Sequence, residues 1–165
     1  MRRRSFIRLT LGGIGALTAY RLFGSDRSTA ANRGIIPIVK SDMEWKSALT
    51  PEQYRVLRRE GTEAPFSSPL NHEHRRGTFA CAGCGLALFP SAYKFDSGTG
   101  WPSFYDVIAT HIETKADHAL AVVRTEYHCA RCGGHQGHVF NDGPPPTGLR
   151  YCNNGVALRF IPDED

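Results

Sequence analysis

Residues 133–154 read GGHQGHVFNDGPPPTGLRYCNN, from Gly133 to Asn154. This stretch begins directly after the second of two Cys-x-x-Cys pairs and carries His135, His138, Asp142, Arg150 and Cys152. The pairs, Cys81/Cys84 and Cys129/Cys132, use four of the five cysteines and leave Cys152 over, in the run Arg150-Tyr151-Cys152. Four thiols at metal-ligand spacing and one thiol beside an arginine suggest a structural metal and a separate reactive nucleophile. Around them, 17 glycines and 10 prolines in 165 residues favour a turn-rich, mainly β chain over a helical bundle. The length suits one domain with a real core.

Each Cys-x-x-Cys presents two sulfurs to one ion from a tight turn. The glycine after each pair, Gly85 and Gly133, frees the backbone to turn so that its amides approach the thiolates. Residues 85–128 separate the pairs, more than compact zinc-site spacing, so a shared ion staples distant parts of a sheet. Four cysteine ligands close the coordination shell and leave no place for substrate, which assigns zinc here to stability. Disulfides and a redox pair are the alternatives, and disulfides gain if the chain folds outside the cytoplasm.

Cys152 is the candidate nucleophile. A neighbouring cation favours the reactive thiolate, and Arg150, two residues away, shares its face if the segment is a strand. His135 and His138 supply hydrogen-bond donors or acid/base groups near neutrality, and Asp142 is placed to orient one of them or a water. The plain alternative is an inert buried cysteine among structural histidines.

The net charge of +4 is unevenly spread. Residues 1–31 hold six arginines against one aspartate, so the rest is nearly neutral, at −1, and gives no nucleic-acid footprint. Arg2-Arg3-Arg4-Ser5-Phe6-Ile7 and the glycine-rich apolar run from Leu9 to about Tyr20 resemble a twin-arginine export signal. An ordinary signal peptide or an uncleaved anchor is the alternative. A leader at 1–31, a linker at 32–40 and a domain at 41–165 are expected, with export to the periplasm, or anchoring if the leader is retained. Export in the folded state would let zinc close on its thiols in the reducing cytoplasm first.

Ser41 caps a short helix through Leu49, and Thr50-Pro51-Glu52-Gln53 starts another, with a capping box and proline at the first turn. Tyr54, Leu57 and the stem of Arg58 share a face, and Gly61 stops the helix. Beyond a loop at 61–74, strands are expected at Thr78–Cys81, Leu86–Phe89, Phe104–Ile108, Leu120–Glu126 and Val156–Ile161.

The motifs Gly61-Thr62-Glu63, both cysteine knuckles, Gly100-Trp101-Pro102-Ser103-Phe104, His135-Gln136-Gly137-His138-Val139-Phe140 and Arg150-Tyr151-Cys152-Asn153-Asn154 resemble the B-type methionine-R-sulfoxide reductases, over roughly Ile38 to Pro162. The resemblance implies a mainly β fold of two antiparallel sheets, tent-like and zinc-stapled, with short N-terminal helices. It implies thiol-dependent reduction of the R epimer of methionine sulfoxide in oxidised proteins and peptides. Cys152 matches the family's catalytic cysteine. His135, His138, Asp142, Arg150 and Asn154 match its polar site residues. Trp101 matches the tryptophan that packs the substrate methyl, with Phe140 extending that wall. An apolar methyl beside a polar S–O bond calls for this combination of aromatic wall and donors. Thr99 stands where many members carry a resolving cysteine, so the sulfenic acid formed on Cys152 awaits an external thioredoxin-like or small-thiol reductant. The resemblance further implies a monomer, with no stable membrane partner unless the leader is retained. A zinc-stapled binding module and a sulfoxide-binding sensor are the competing readings. The first has no use for Cys152, Arg150 and the two histidines, and kinetics separates the second.

Overall fold

Both N-terminal helices start where their capping chemistry dictates. The computed structural model describes residues 34–164, so the leader expected at 1–31 lies outside the described residues. In α1 (Asp42–Ala48) the Ser41 hydroxyl accepts from the Glu44 amide while the Glu44 carboxylate accepts from the Ser41 amide. Thr50 and Gln53 form the same reciprocal pair at the start of α2 (Pro51–Arg59). Helix α2 ends with Glu60 in the left-handed region, and the Gly61 amide donates back to the Arg55 carbonyl. Both helices bury one stripe against the sheets, through Trp45, Val56 and Leu57. Residues 34–40, expected to be linker, have no regular secondary structure, yet Ile35 and Ile38 pack on the core. No helix among the described residues is long and apolar enough to cross a membrane.

Among the described residues nine strands follow: β1 (Gly77–Cys81), β2 (Ala87–Pro90), β3 (Lys94–Phe95), β4 (Ser103–Phe104), β5 (Ile112–Asp117), β6 (Arg124–Cys129), β7 (His135–Phe140), β8 (Arg150–Asn153) and β9 (Leu158–Pro162). They form two antiparallel sheets, a small one in the order β2-β1-β9 and a larger one in the order β3-β4-β8-β7-β6-β5. The mainly β, two-sheet architecture with short N-terminal helices is therefore the one expected.

The strands differ from the sequence reading in several places, and β3, β5, β7 and β8 fall outside every strand expected. The apolar run at Leu120–Val123 is an exposed turn, and its strand runs instead from Arg124 to Cys129. The strand expected at Phe104–Ile108 is only Ser103–Phe104. Strand β5 is almost wholly exposed, so it lacks the alternation that would mark it in sequence.

The core between the sheets is aromatic. Phe89 of the small sheet stacks on Phe104 of the large one at 4.1 Å, and Phe79 meets Phe104 edge-on at 5.0 Å. Tyr127 and Tyr151 extend the cluster on the large sheet's inner face. Aromatic pairs in these geometries add about 0.5–1.5 kcal/mol each beyond the area they bury. Because Phe89 touches Phe104, Tyr127 and Tyr151 together, Phe89→Ala is expected to cost about 3–5 kcal/mol. Urea unfolding checks this as a lower midpoint at unchanged slope; a near-wild-type midpoint would contradict it.

Candidate active site

Strand register sets the site. Cys152 on β8 lies directly opposite His138 on β7 and opposite Ser103 on β4. Glu126 on β6 lies opposite His138, and Lys115 on β5 opposite Glu126. Directly opposed residues share a face, so these five side chains form one row across five strands, on the face away from the aromatic core. A second row lies two residues along, with Arg150 opposite Phe140 and Asp117 opposite Arg124.

His135 would fall on the other face of a regular strand, being three residues from His138. A bulge corrects this: Tyr127 pairs Gly137 but His128 pairs His135, so Gln136 is the extra residue in β7. Both imidazoles then stand on one face, ring centroids 5.6 Å apart. Gly137 lets β7 and β8 approach, since a Cβ there would sit 1.9 Å from the Cys152 carbonyl oxygen.

The rows enclose a cavity of about 110 Å³ lined by Thr62, Trp101, Arg124, His138, Phe140 and Cys152, together with Gly137, Asn153 and Asn154. Five of the sequence-predicted residues thus meet there: Cys152, His138, Asn154, Trp101 and Phe140. The Trp101 indole N–H donates to the Glu63 carbonyl at 3.2 Å, which fixes the ring. Glu63 is itself buried, and its carboxylate accepts from the Gly155 and Val156 amides at 2.6 and 2.8 Å. The Asn154 side chain is committed at both ends, accepting from the Glu63 amide and donating to the Gln136 carbonyl. It holds three segments together at the cavity floor.

The other predicted residues stand around this cavity, not in its lining. His135 is buried beside His138 with its Nδ1 2.7 Å from Glu126, and its Nε2 has no hydrogen-bond partner. Asp142 holds Arg150 in a two-pronged pair at 2.8 Å on each arm. It does not orient a histidine, as the sequence suggested; Glu126 does that for His135, and Asp117 for His138, at 2.8 Å from Nε2. The Arg150 guanidinium lies 4.4 Å from the Phe140 ring centroid.

Electrostatics also differ from the simple expectation for Cys152. Burial pushes its thiol up, against the Arg150 charge and hydrogen bonds from Thr99 and Arg150. Arg150 favours the thiolate, but desolvation outweighs it. Burial likewise lowers the His138 pKa, although its hydrogen bond to Asp117 works the other way. The resting pair is a neutral thiol facing a neutral imidazole.

Away from the cavity, the sulfurs of Cys81, Cys84, Cys129 and Cys132 all lie within 4.8 Å of one another. Cys81 and Cys132 are 3.6 Å apart, and Cys84 and Cys129 3.4 Å. A disulfide needs about 2.05 Å, whereas metal–sulfur bonds of about 2.3 Å place tetrahedral ligands roughly 3.8 Å apart. Gly85 and Gly133 take the left-handed conformation their turns require, at φ 74° and 65°. Gln136, the bulged residue, donates its side-chain amide to the Cys81 sulfur at 3.3 Å.

Sequence reasoning missed Arg124, Asp117, Glu126 and the roles of Glu63 and Gln136. Of these, Glu63 and Gln136 carried a signal, in the Gly61-Thr62-Glu63 and His135-Gln136-Gly137-His138 motifs.

A cysteine and a histidine opposed across a strand pair, beneath an aromatic wall and apart from a four-sulfur cluster, define a thiol-based reductase. The profile of the SelR domain matches residues 49–162. The peptide methionine sulfoxide reductase MsrB of Methanosarcina mazei is 55% identical over 129 residues, covering 78% of this chain and 92% of that protein. Those of Bradyrhizobium diazoefficiens and Leifsonia xyli are each 52% identical, over 76% and 82% of this chain and 91% and 99% of theirs. The chain belongs to this family of SelR-domain methionine sulfoxide reductases.

The Glu63 carboxylate is the anchor most exposed to test. Glu63→Ala strands two buried amides and is expected to cost about 2–4 kcal/mol. By loosening the backbone that holds Trp101, it is also expected to raise KM for a methionine sulfoxide peptide more than it lowers kcat. Thermal melts and steady-state kinetics check the two parts; an unchanged melt and KM would show that Glu63 anchors nothing.

Proposed function

We propose that the cavity reduces the R epimer of methionine sulfoxide in oxidised proteins and peptides. The observation that carries this reading is the register pair of Cys152 and His138 beside Trp101 in one small cavity. The volume of about 110 Å³ admits a side chain, and the walls divide its ends: Trp101 and Phe140 for the methyl, His138 and Arg124 for the polar oxygen.

At rest the thiol keeps its own proton and the neutral imidazole has one ring nitrogen free to accept it. As the substrate enters, His138 takes the proton of the Cys152 thiol, and the thiolate attacks the sulfoxide sulfur. His138 returns that proton to the oxygen. The new sulfur–sulfur bond and the substrate S–O bond then break as the hydroxyl transfers to the Cys152 sulfur, so methionine departs and Cys152 is left as a sulfenic acid. The substrate sulfur gains two electrons and the cysteine sulfur loses two, so the step balances without another oxidant or reductant. His135, held by Glu126, backs His138, and Arg150, fixed by Asp142, places positive charge near Cys152.

An external thiol, thioredoxin-like or small, then reduces the sulfenic acid. Thr99 supports this, because a hydroxyl that favours the Cys152 thiolate stands where a resolving thiol would otherwise be. The domain acts as a monomer. The four knuckle cysteines hold a structural zinc, whose contribution is to tie the sheets; no step of the reaction passes through it. The twin-arginine-like leader carries the folded protein to the periplasm. A reporter fused behind residues 1–31 tests this, and loss of export in Arg3→Lys/Arg4→Lys is the expected result.

Dithiothreitol-driven reduction of a peptide carrying each sulfoxide epimer tests the activity. R-selective turnover is expected for the wild type and at least about a 10³-fold loss for Cys152→Ser; no turnover in a folded, metal-loaded sample overturns the reading. Metal analysis should find one zinc per chain. Stripping it is expected to unfold the domain, since such a site contributes on the order of 10 kcal/mol, comparable with the whole stability of a small domain. Disulfides in place of metal would refute the zinc assignment.

A further inference from the structure

Asp117 is the end residue of β5, far in sequence from every motif of the site, yet three groups converge on its carboxylate. One oxygen accepts from the Ala119 amide at 2.8 Å. The other lies 2.8 Å from His138 Nε2 and 2.6 Å from an Arg124 nitrogen. The carboxyl is three-quarters or more shielded, with 15% side-chain exposure. The Ala119 amide, His138 and Arg124 together hold it well below the usual carboxylate range, so it is ionised and can only accept.

That acceptor fixes the chemistry of the ring. A carboxylate bonded to Nε2 requires the proton to sit on Nε2. Nδ1 has no hydrogen-bond partner among the described residues. It is therefore the only ring nitrogen able to take up and release a proton without breaking the bond to Asp117. Arg124 meanwhile lines the cavity beside His138 while gripping the same oxygen.

We propose that Asp117, locked by Arg124 and the Ala119 amide, is a positioning residue that holds His138 as the Nε2–H tautomer and so makes Nδ1 the atom that carries the proton from Cys152 to the sulfoxide oxygen. This rests on the reading of His138 as proton carrier given above. The groups facing His138 are Asp117 on β5, Arg124 and Glu126 on β6, His135 on its own strand and Cys152 on β8. Of the two nearest charges, Asp117 stabilises the imidazolium and Arg124 opposes it. The transfer needs a neutral imidazole, so activity falls as pH drops through the His138 pKa. Removing the Asp117 charge lowers that pKa further, and the acid limb moves to lower pH.

Three variants, His138→Gln, Asp117→Asn and Asp117→Ala, separate the outcomes. The measurements are single-turnover reduction of an R-sulfoxide peptide across pH and ¹⁵N NMR of the imidazoles. Zinc content and thermal melts confirm that each variant is folded. The wild type should show an acid limb that His138→Gln lacks; if His138→Gln keeps it, the proton-carrier reading itself fails. With that control met, Asp117→Asn should shift the limb to lower pH and slow the reaction roughly 10-fold. Asp117→Ala, which also frees the ring, should slow it roughly 10²-fold. NMR should show neutral His138 protonated at Nε2 in the wild type and a tautomer mixture in Asp117→Ala. An unmoved limb in Asp117→Asn, or an Nδ1-protonated ring in the wild type, would overturn the proposal and leave the proton-carrier reading standing.

Discussion

Four sulfurs decide how the two sheets meet. Cys81 ends a strand of the small sheet and Cys129 ends a strand of the large one, so the cluster joins layers that are otherwise held by side-chain packing. A domain of this size buries a modest core, and most of the contact between its sheets is a handful of aromatic rings. The cluster pins one end of that interface. Gln136 carries the constraint onward, since its side chain meets the Cys81 sulfur while its carbonyl accepts from both the backbone and the side chain of Asn154.

The same glutamine is the bulge that turns His135 and His138 to one face. The four-sulfur cluster and the reactive thiol are thus chemically separate but mechanically joined. A shift at the knuckles reaches the catalytic strands through Gln136 of β7 and through Cys129 at the end of β6. The register of β7, β8 and β6 then places each acid/base side chain, and no loop has to close to assemble them. Burial keeps the facing thiol and imidazole neutral at rest, which defers charge separation until a substrate fills the space between them.

Local signals carried the helices and the strands of the small sheet into view. Both capping boxes are written in residues four apart at most, and β1 and β9 are apolar runs bounded by turns. The same logic failed where geometry depends on pairing. Strand β7 opens with His, Gln, Gly and His before Val139 and Phe140, and β8 is built of Arg, Tyr, Cys and Asn, with no alternation of hydrophobicity to announce a strand. Leu120–Val123 has the composition of a strand and lies exposed in a turn. The cysteines, histidines and Trp101 were legible because their chemistry is rare and clustered. Asp117, Arg124 and Glu126 were not, because an ordinary charged residue gains its role only when register sets it opposite a histidine. Asp142 shows the converse: near the site in sequence, it spends its charge on Arg150.

Thr99 has a bearing on the protein's fate as well as on its donor. A resolving thiol would convert the oxidised nucleophile at once into a disulfide, a form that peroxide attacks slowly. A hydroxyl offers no such refuge. With the knuckle sulfurs held in the zinc site proposed above, the oxidised Cys152 has two exits: an outside thiol returns it to service, or a second oxidant molecule carries it to a sulfinic acid that thiols do not reverse. How many turnovers one molecule survives during an oxidative burst is then set by the ratio of thiol to peroxide in its surroundings, and by how well a cavity this narrow screens its sulfur from the smaller of the two.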